Sequence, residues 1–206
     1  MTDFLQHYIN TICIERAPPG SNYLKGETPG HFYTWQFYLR RAVFQPPILK
    51  EITKRFFDMI GEDTLQQVQL AGVESSATAM LMAFQQEAFD RYIFLNVFSI
   101  RKTRKAHGLQ NWIEGTVNEK PVLLVDDILS EARLSRSTLL HAEKILDLHR
   151  ITLHPECFVL VHKAYYTAAP TVKLEKTALK VNSLFNLNDF DLSHDEFFNK
   201  KEKQSP

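Results

Sequence analysis

The sequence predicts an α/β fold: a central, mostly parallel sheet flanked by helices. Three observations predict it. Apolar runs of strand length alternate with segments of helical periodicity along most of the chain. The run Val122-Leu123-Leu124-Val125 is continuously apolar, as expected of a strand covered on both faces. The composition of the 206 residues, 44% hydrophobic and 23% charged, lies close to the globular average, which excludes disordered, collagen-like and coiled-coil classes.

Each element follows from its own pattern. Phe4, Leu5, Tyr8, Ile9 and Ile12 recur at helical spacing, so an amphipathic helix is expected before Ala17-Pro18-Pro19-Gly20. A loop then runs to about Gly30, and the aromatic, partly alternating stretch 31–39 reads as a strand. Pro46-Pro47 opens a helix with apolar positions Ile48, Ile52, Phe56 and Ile60, and Gly61 stops it. The alternation continues with a strand at 68–72, a helix near 78–90, a strand at 92–98, a loop and a strand at 122–125. A helix near 134–148 and a strand at 158–161 follow, residues 179–184 add another strand, and 200–206 form a polar tail. The expected organisation is one domain over 1–199.

Composition also bounds function. Lys plus Arg and Asp plus Glu both total 24, so the formal charge is zero and nothing draws the whole chain toward nucleic acid or anionic lipid. Any charged site is local. Cys13 and Cys157 are the only cysteines and form no C-x-x-C pair, which excludes a disulfide framework and a cysteine-ligated zinc site. A reducing compartment fits, and with no apolar signal core in the first fifteen residues the expectation is a cytoplasmic protein. No G-x-G-x-x-G, P-loop or G-x-S-x-G occurs, so dinucleotide, NTPase and serine-hydrolase readings lack support.

Three stretches can carry chemistry. The strand at 122–125 runs into Asp126-Asp127; carboxylates beyond a parallel strand's carboxyl end can accept bonds from sugar hydroxyls or hold Mg²⁺ through water, although one of them can equally cap the next helix. Arg101-Lys102-Thr103-Arg104-Lys105-Ala106-His107-Gly108 places four cations and a histidine in eight residues. That suits a loop closing over a phosphate or pyrophosphate, and a solvated basic loop would look similar. Leu70-Ala71-Gly72-Val73-Glu74-Ser75-Ser76-Ala77-Thr78-Ala79 is a strand followed by small residues leading into a helix, which admit either a ligand at the helix N-terminus or close strand–helix packing. His141 and His149 fall on one expected helix and read as surface or boundary residues.

In their order, these segments resemble the orotate phosphoribosyltransferase branch of the type I phosphoribosyltransferases over almost the whole chain. Leu24-Lys25-Gly26-Glu27 through Phe32-Tyr33 is similar to the family's L-K-S-G segment and its following aromatics, which implies a small N-terminal hood with Lys25, Phe32 and Tyr33 near the base. Arg101 to Gly108 matches the R-K-x-x-K-x-H-G catalytic loop without a gap, and Ile113-Glu114-Gly115 matches the I-E-G that closes it. The resemblance implies that Arg101, Lys102, Lys105 and His107 neutralise pyrophosphate, with Lys105 catalytic. Asp126 and Asp127 would hold the ribose of phosphoribosyl pyrophosphate and Mg²⁺, and Ser183-Leu184 to Asp189-Phe190 resembles the C-terminal S-L-x-x-L-x-D-L/F. It also implies a homodimer whose catalytic loop serves the neighbouring subunit.

Two departures stand out. Where the family has the glycine turn T-T-G-G-T/S for the 5′-phosphate, this chain reads Ser130-Glu131-Ala132-Arg133-Leu134-Ser135, and no glycine follows Gly115. Side chains in such a turn obstruct the backbone's approach to an anion, leaving Ser130, Arg133 and Ser135 as candidate phosphate ligands. The family's D-R, whose arginine meets the orotate carboxylate, is replaced by His162-Lys163. The leading expectation is a phosphoribosyltransferase acting on a pyrimidine-like base, orotate or related. The competing one is a noncatalytic module that senses a nucleotide or phosphoribosyl pyrophosphate on the same fold.

Overall fold

A computed structural model describes residues 3–18, 21, 23–25, 32–103, 111–130, 134, 137–166 and 170–192, at Lys25 the backbone only. Asp3 starts the chain's first helix, α1 (Phe4–Tyr8), its carboxylate accepting from the amides of Leu5 at 2.9 Å and Gln6 at 3.2 Å. A π-helical turn, Ile9–Cys13, follows. Leu5, Ile9 and Cys13 are buried, whereas Phe4 and Ile12 face solvent, so the apolar stripe is narrower than the periodicity predicts.

The expected strand at 31–39 is instead two short ones split at Thr34. β1 (Ile14–Arg16) pairs antiparallel with β4 (Trp35–Phe37), and β2 (Leu24–Lys25) pairs antiparallel with β3 (Phe32–Tyr33). After α2 (Arg40–Val43), α3 (Pro46–Ile60) buries the expected Ile48, Ile52, Phe56 and Ile60. It ends at Gly61, whose φ of 81° is one that glycine adopts without strain.

Beyond α4 (Glu62–Leu65), the chain builds β5 (Gln69–Val73), α5 (Ser76–Asp90), β6 (Val97–Ile100), β7 (Ile113–Gly115) and β8 (Val122–Leu129). α6 (Thr138–Leu148), β9 (Leu153–His162), β10 (Thr171–Lys173) and β11 (Ala178–Asn186) complete it. Sheet order is β10-β11-β9-β8-β5-β6-β7; the four central pairings are parallel, and only the edge strands β10 and β7 run antiparallel. The expected strand at 92–98 begins only at Val97. Tyr92 carries a φ of 59° in the turn that ends α5, which takes the next residues out of extended pairing.

Two cores lie on opposite faces of the sheet. On one, Phe56 of α3 stacks on Phe84 of α5 with ring centroids 3.9 Å apart, and Phe158 of β9 meets both edge-on. On the other, Leu139, Ala142 and Ile145 of α6 pack with Val122, Leu124 and Val159. The chain therefore leaves β5 through α5 toward one sheet edge and leaves β8 through α6 toward the other. Between β5 and β8 the winding direction reverses, and in open parallel sheets such a point opens a crevice at the strands' carboxyl ends.

Candidate functional site

The crevice is present. β8 pairs with β5 only from Val122 to Leu124, whereas its pairing with β9 continues to Leu129. The strands diverge beyond that, and a cleft of about 450 Å³ opens there. Gln36 to Arg40 form one wall; Glu74, Ser76 and Lys102 another; Asp126, Asp127, Ser130, Ser137, Thr138 and Lys163 complete the lining. Beside it, Gly72 approaches its neighbours so closely that an added Cβ would lie 2.4 Å from both Ala77 Cβ and the Val125 carbonyl oxygen. At that position, the small residue serves packing.

β8 does not end at Val125 but continues through both acids, and its two-residue repeat separates them. Val122 and Leu124 belong to the α6 core, Leu123 and Val125 to the α3–α5 core. Asp126 continues the first series and is buried, 3% exposed. One of its oxygens accepts from the Asp127 amide at 2.8 Å, and the other accepts from the hydroxyl of Thr138, the first residue of α6. Burial pushes the Asp126 carboxyl well above the usual carboxylate range, and the adjacent Asp127 charge adds to this. Asp127 is half-buried on the cleft. The resemblance gives both acids the same role, whereas the alternative that one of them serves the next helix describes Asp126, which anchors α6; Asp127 is a carboxylate on the cavity wall.

The root of the basic segment is held by backbone bonds. Arg101 N–H donates to the Trp112 carbonyl at 2.9 Å, and Arg101 Nη1 donates to Glu114 Oε1 at 3.0 Å. Lys102 N–H donates to Glu74 Oε1 at 3.2 Å, and the Lys102 side chain lines the cleft. Lys105 and His107 lie outside the described residues.

The N-terminal end of α5 also reaches the cleft. There Arg40 Nε donates to Ser76 Oγ at 3.2 Å, just after a cis Glu74–Ser75 peptide. No motif singled out Arg40; it is a cation in an aromatic stretch that only tertiary structure brings beside α5. Ser137 caps α6 by accepting from the Leu140 amide at 3.2 Å, and Ser130 shares the lining. Arg133 and Ser135 lie outside the described residues.

On the expected base side, Phe32 meets Tyr23 edge-on at 4.6 Å and Tyr33 is buried. Neither is among the described lining residues, where Gln36, Phe37 and Tyr38 take that place; nothing is described of the Lys25 side chain. Lys163 Nζ sits over the Trp35 ring, 5.2 Å from its centroid. Of the C-terminal motif, Asp189 closes a capping box with Asn186, and Phe190 packs against Phe37 and Phe185. Of these contacts, Phe190 against Phe37 supports a residue of the cleft lining. Cys13 and Cys157 are free and buried, and burial raises their thiols to about 11 and about 12, so neither is a poised nucleophile.

Among the described residues no three potential ligands cluster into a metal site, and no helix is long and apolar enough to cross a membrane. Mg²⁺ does not demand such a cluster, because it commonly takes one or two carboxylates with waters and substrate phosphates. A half-buried Asp127 beside an open cavity meets that requirement.

No protein-family model matches the chain, and no curated protein matches it by sequence. Solved structures do. The orotate phosphoribosyltransferase of Mycobacterium tuberculosis H37Rv, in complex with Fe(III) dicitrate, superposes with a TM-score of 0.62 at 20% identity, covering 90% of this chain and 95% of that one. That of Aeropyrum pernix gives 0.60 at 14% identity over 90% and 94%. The adenine phosphoribosyltransferase of Trypanosoma brucei, in complex with AMP, pyrophosphate and ribose-5-phosphate, gives 0.54 at 14% identity over 98% and 84%.

Proposed function

We propose that this chain, whose fold is that of the type I phosphoribosyltransferases, binds phosphoribosyl pyrophosphate with Mg²⁺ in the β5–β8 cleft and transfers ribose 5-phosphate to a nitrogen of a pyrimidine-like base, orotate or a relative. The observation that carries this reading is that one cleft is lined by the Asp127 carboxylate and, on its two other walls, by Arg40 and by Lys102 with the α5 N-terminus. A sugar bearing anionic groups needs that division.

In the reaction, the bond from the anomeric carbon to the pyrophosphate oxygen breaks with its electron pair on oxygen, and the base nitrogen bonds to that carbon as its N–H proton passes to the departing pyrophosphate. Charge develops in both directions. Lys102 and Arg40, with Arg101, Lys105 and His107 in the segment the resemblance assigns to pyrophosphate, meet the departing anion. Asp127 accepts from the ribose hydroxyls and faces the positive charge developing at the ring, while Asp126 holds the start of α6; Ser130 after β8 and Ser137 and Thr138 at α6 line the cleft, and the 5′-phosphate is assigned to that side. When bound through Asp127, Mg²⁺ supplies charge neutralisation of the pyrophosphate. The chain acts as a cytoplasmic homodimer, each Lys105 serving the acids of the neighbouring copy.

Pyrophosphate release assayed against a panel of bases tests the reading; release with one pyrimidine-like base, dependent on Mg²⁺, is expected. The glycine-free turn after β8 favours a second reading, a sensing module that binds phosphoribosyl pyrophosphate without turnover. Calorimetric binding with no release from any base would establish that alternative. Absence of both binding and release would overturn both readings.

A further inference from the structure

We infer that His141 is a positioning residue for the cationic wall of the cleft, acting through the peptide unit between Arg101 and Lys102. That unit is held at both ends. Its carbonyl, on Arg101, accepts from His141 Nε2 at 2.8 Å; its N–H, on Lys102, donates to Glu74 Oε1 at 3.2 Å. One peptide plane therefore spans from α6 to the turn before α5, and its orientation sets the point from which the Lys102 side chain enters the cleft.

The acceptor is a carbonyl, so Nε2 carries the proton. His141 stands three residues after Thr138, on the same face of α6. That face binds Asp126 through Thr138 and the Arg101 carbonyl through His141, so one helix references both the acid strand and the basic segment. The imidazole also meets the Trp112 ring edge-on at 5.8 Å, and Trp112 in turn accepts from the Arg101 amide. Both sides of the loop's base thus touch this one side chain. The role in ligand binding rests on the phosphoribosyltransferase reading; the positioning itself does not.

Two substitutions separate the N–H from the ring. His141→Phe keeps an aromatic beside Trp112 and removes the donor, whereas His141→Gln keeps a donor and removes the aromatic. Amide hydrogen exchange of the full chain reads the peptide plane directly. For His141→Phe, exchange at Lys102 should rise about tenfold, the scale of one lost hydrogen bond, and more than at amides of the central strands, and His141→Gln should restore most of the protection. Inorganic pyrophosphate with Mg²⁺, titrated calorimetrically, should bind about tenfold more weakly to His141→Phe and near normally to His141→Gln. Unchanged Lys102 exchange in His141→Phe overturns the inference, as does equal loss in both variants, which would assign the effect to ring packing. A wild-type chain that binds no pyrophosphate overturns the proposed function instead, and the exchange comparison still decides the role of His141.

Discussion

Asp126 and Asp127 adjoin in sequence and differ in what their removal should do. Asp127→Asn takes the charge from the cleft wall, and binding of phosphoribosyl pyrophosphate with Mg²⁺ should weaken by about 1.5–3 kcal/mol, the worth of a hydrogen bond to a charged group. Calorimetry checks it, and unchanged affinity would remove Asp127 from the site. Asp126→Ala deprives the Thr138 hydroxyl and the Asp127 amide of their acceptor in a buried place. A loss of about 1–3 kcal/mol in unfolding stability is expected by denaturant titration. Gly72→Ala tests packing rather than chemistry: its new methyl would meet Ala77 and the Val125 carbonyl at 2.4 Å. Overpacking of that kind costs about 1–3 kcal/mol, read as a lowered denaturation midpoint.

At the scale of elements, α1 is only five residues long and depends on its ends. The Arg55 guanidinium of α3 donates to the Asp3 carboxylate that caps α1, and this bond holds the Asp3 carboxyl below its ordinary value of 3.8. The folded chain then holds that proton less tightly than the unfolded one. The associated stability is present above the ordinary carboxylate range and is lost as pH falls through the lowered value. Asp3→Asn should cost about 0.5–1 kcal/mol at neutral pH, and its difference from wild type should vanish once the wild-type carboxyl is protonated. Urea melts across the acid range would show a constant difference if the ion pair were idle.

Elements were legible in proportion to their periodicity. α3 was readable end to end because Pro46, its four spaced apolar residues and Gly61 all agree. β7 and β10 were not, since three-residue edge strands carry too short a pattern. The basic segment and the acid pair showed themselves through composition. Arg40 and His141 did not, because their partners, Ser76 and Arg101, lie 36 and 40 residues away in sequence and are joined only by the fold. The split between Asp126 and Asp127 was hidden for a subtler reason: continuous apolarity marks a buried strand but conceals where it stops.

For the molecule as a whole, a net charge of zero leaves ligand attraction to local groups. If Lys105 serves a neighbouring copy, the working particle is a dimer. Light scattering should report about twice the 23.9 kDa of one chain at assay concentration. A monomer would leave the basic segment without its proposed destination and would count against turnover.

The short ladder between β5 and β8 has an implication for how such a chain can change over generations. Register between the two strands is secured by three residue pairs, all upstream of the acids. Asp126 and the rest of β8 still answer to folding through α6 and β9, but both ladders end by Leu129, so substitutions in the turn beyond it are filtered chiefly by ligand chemistry. The stretch Ser130-Glu131-Ala132-Arg133-Leu134-Ser135 lies in that licensed zone, directly after β8. A lineage could rewrite its phosphate turn, and with it the molecule it accepts, while inheriting the scaffold intact.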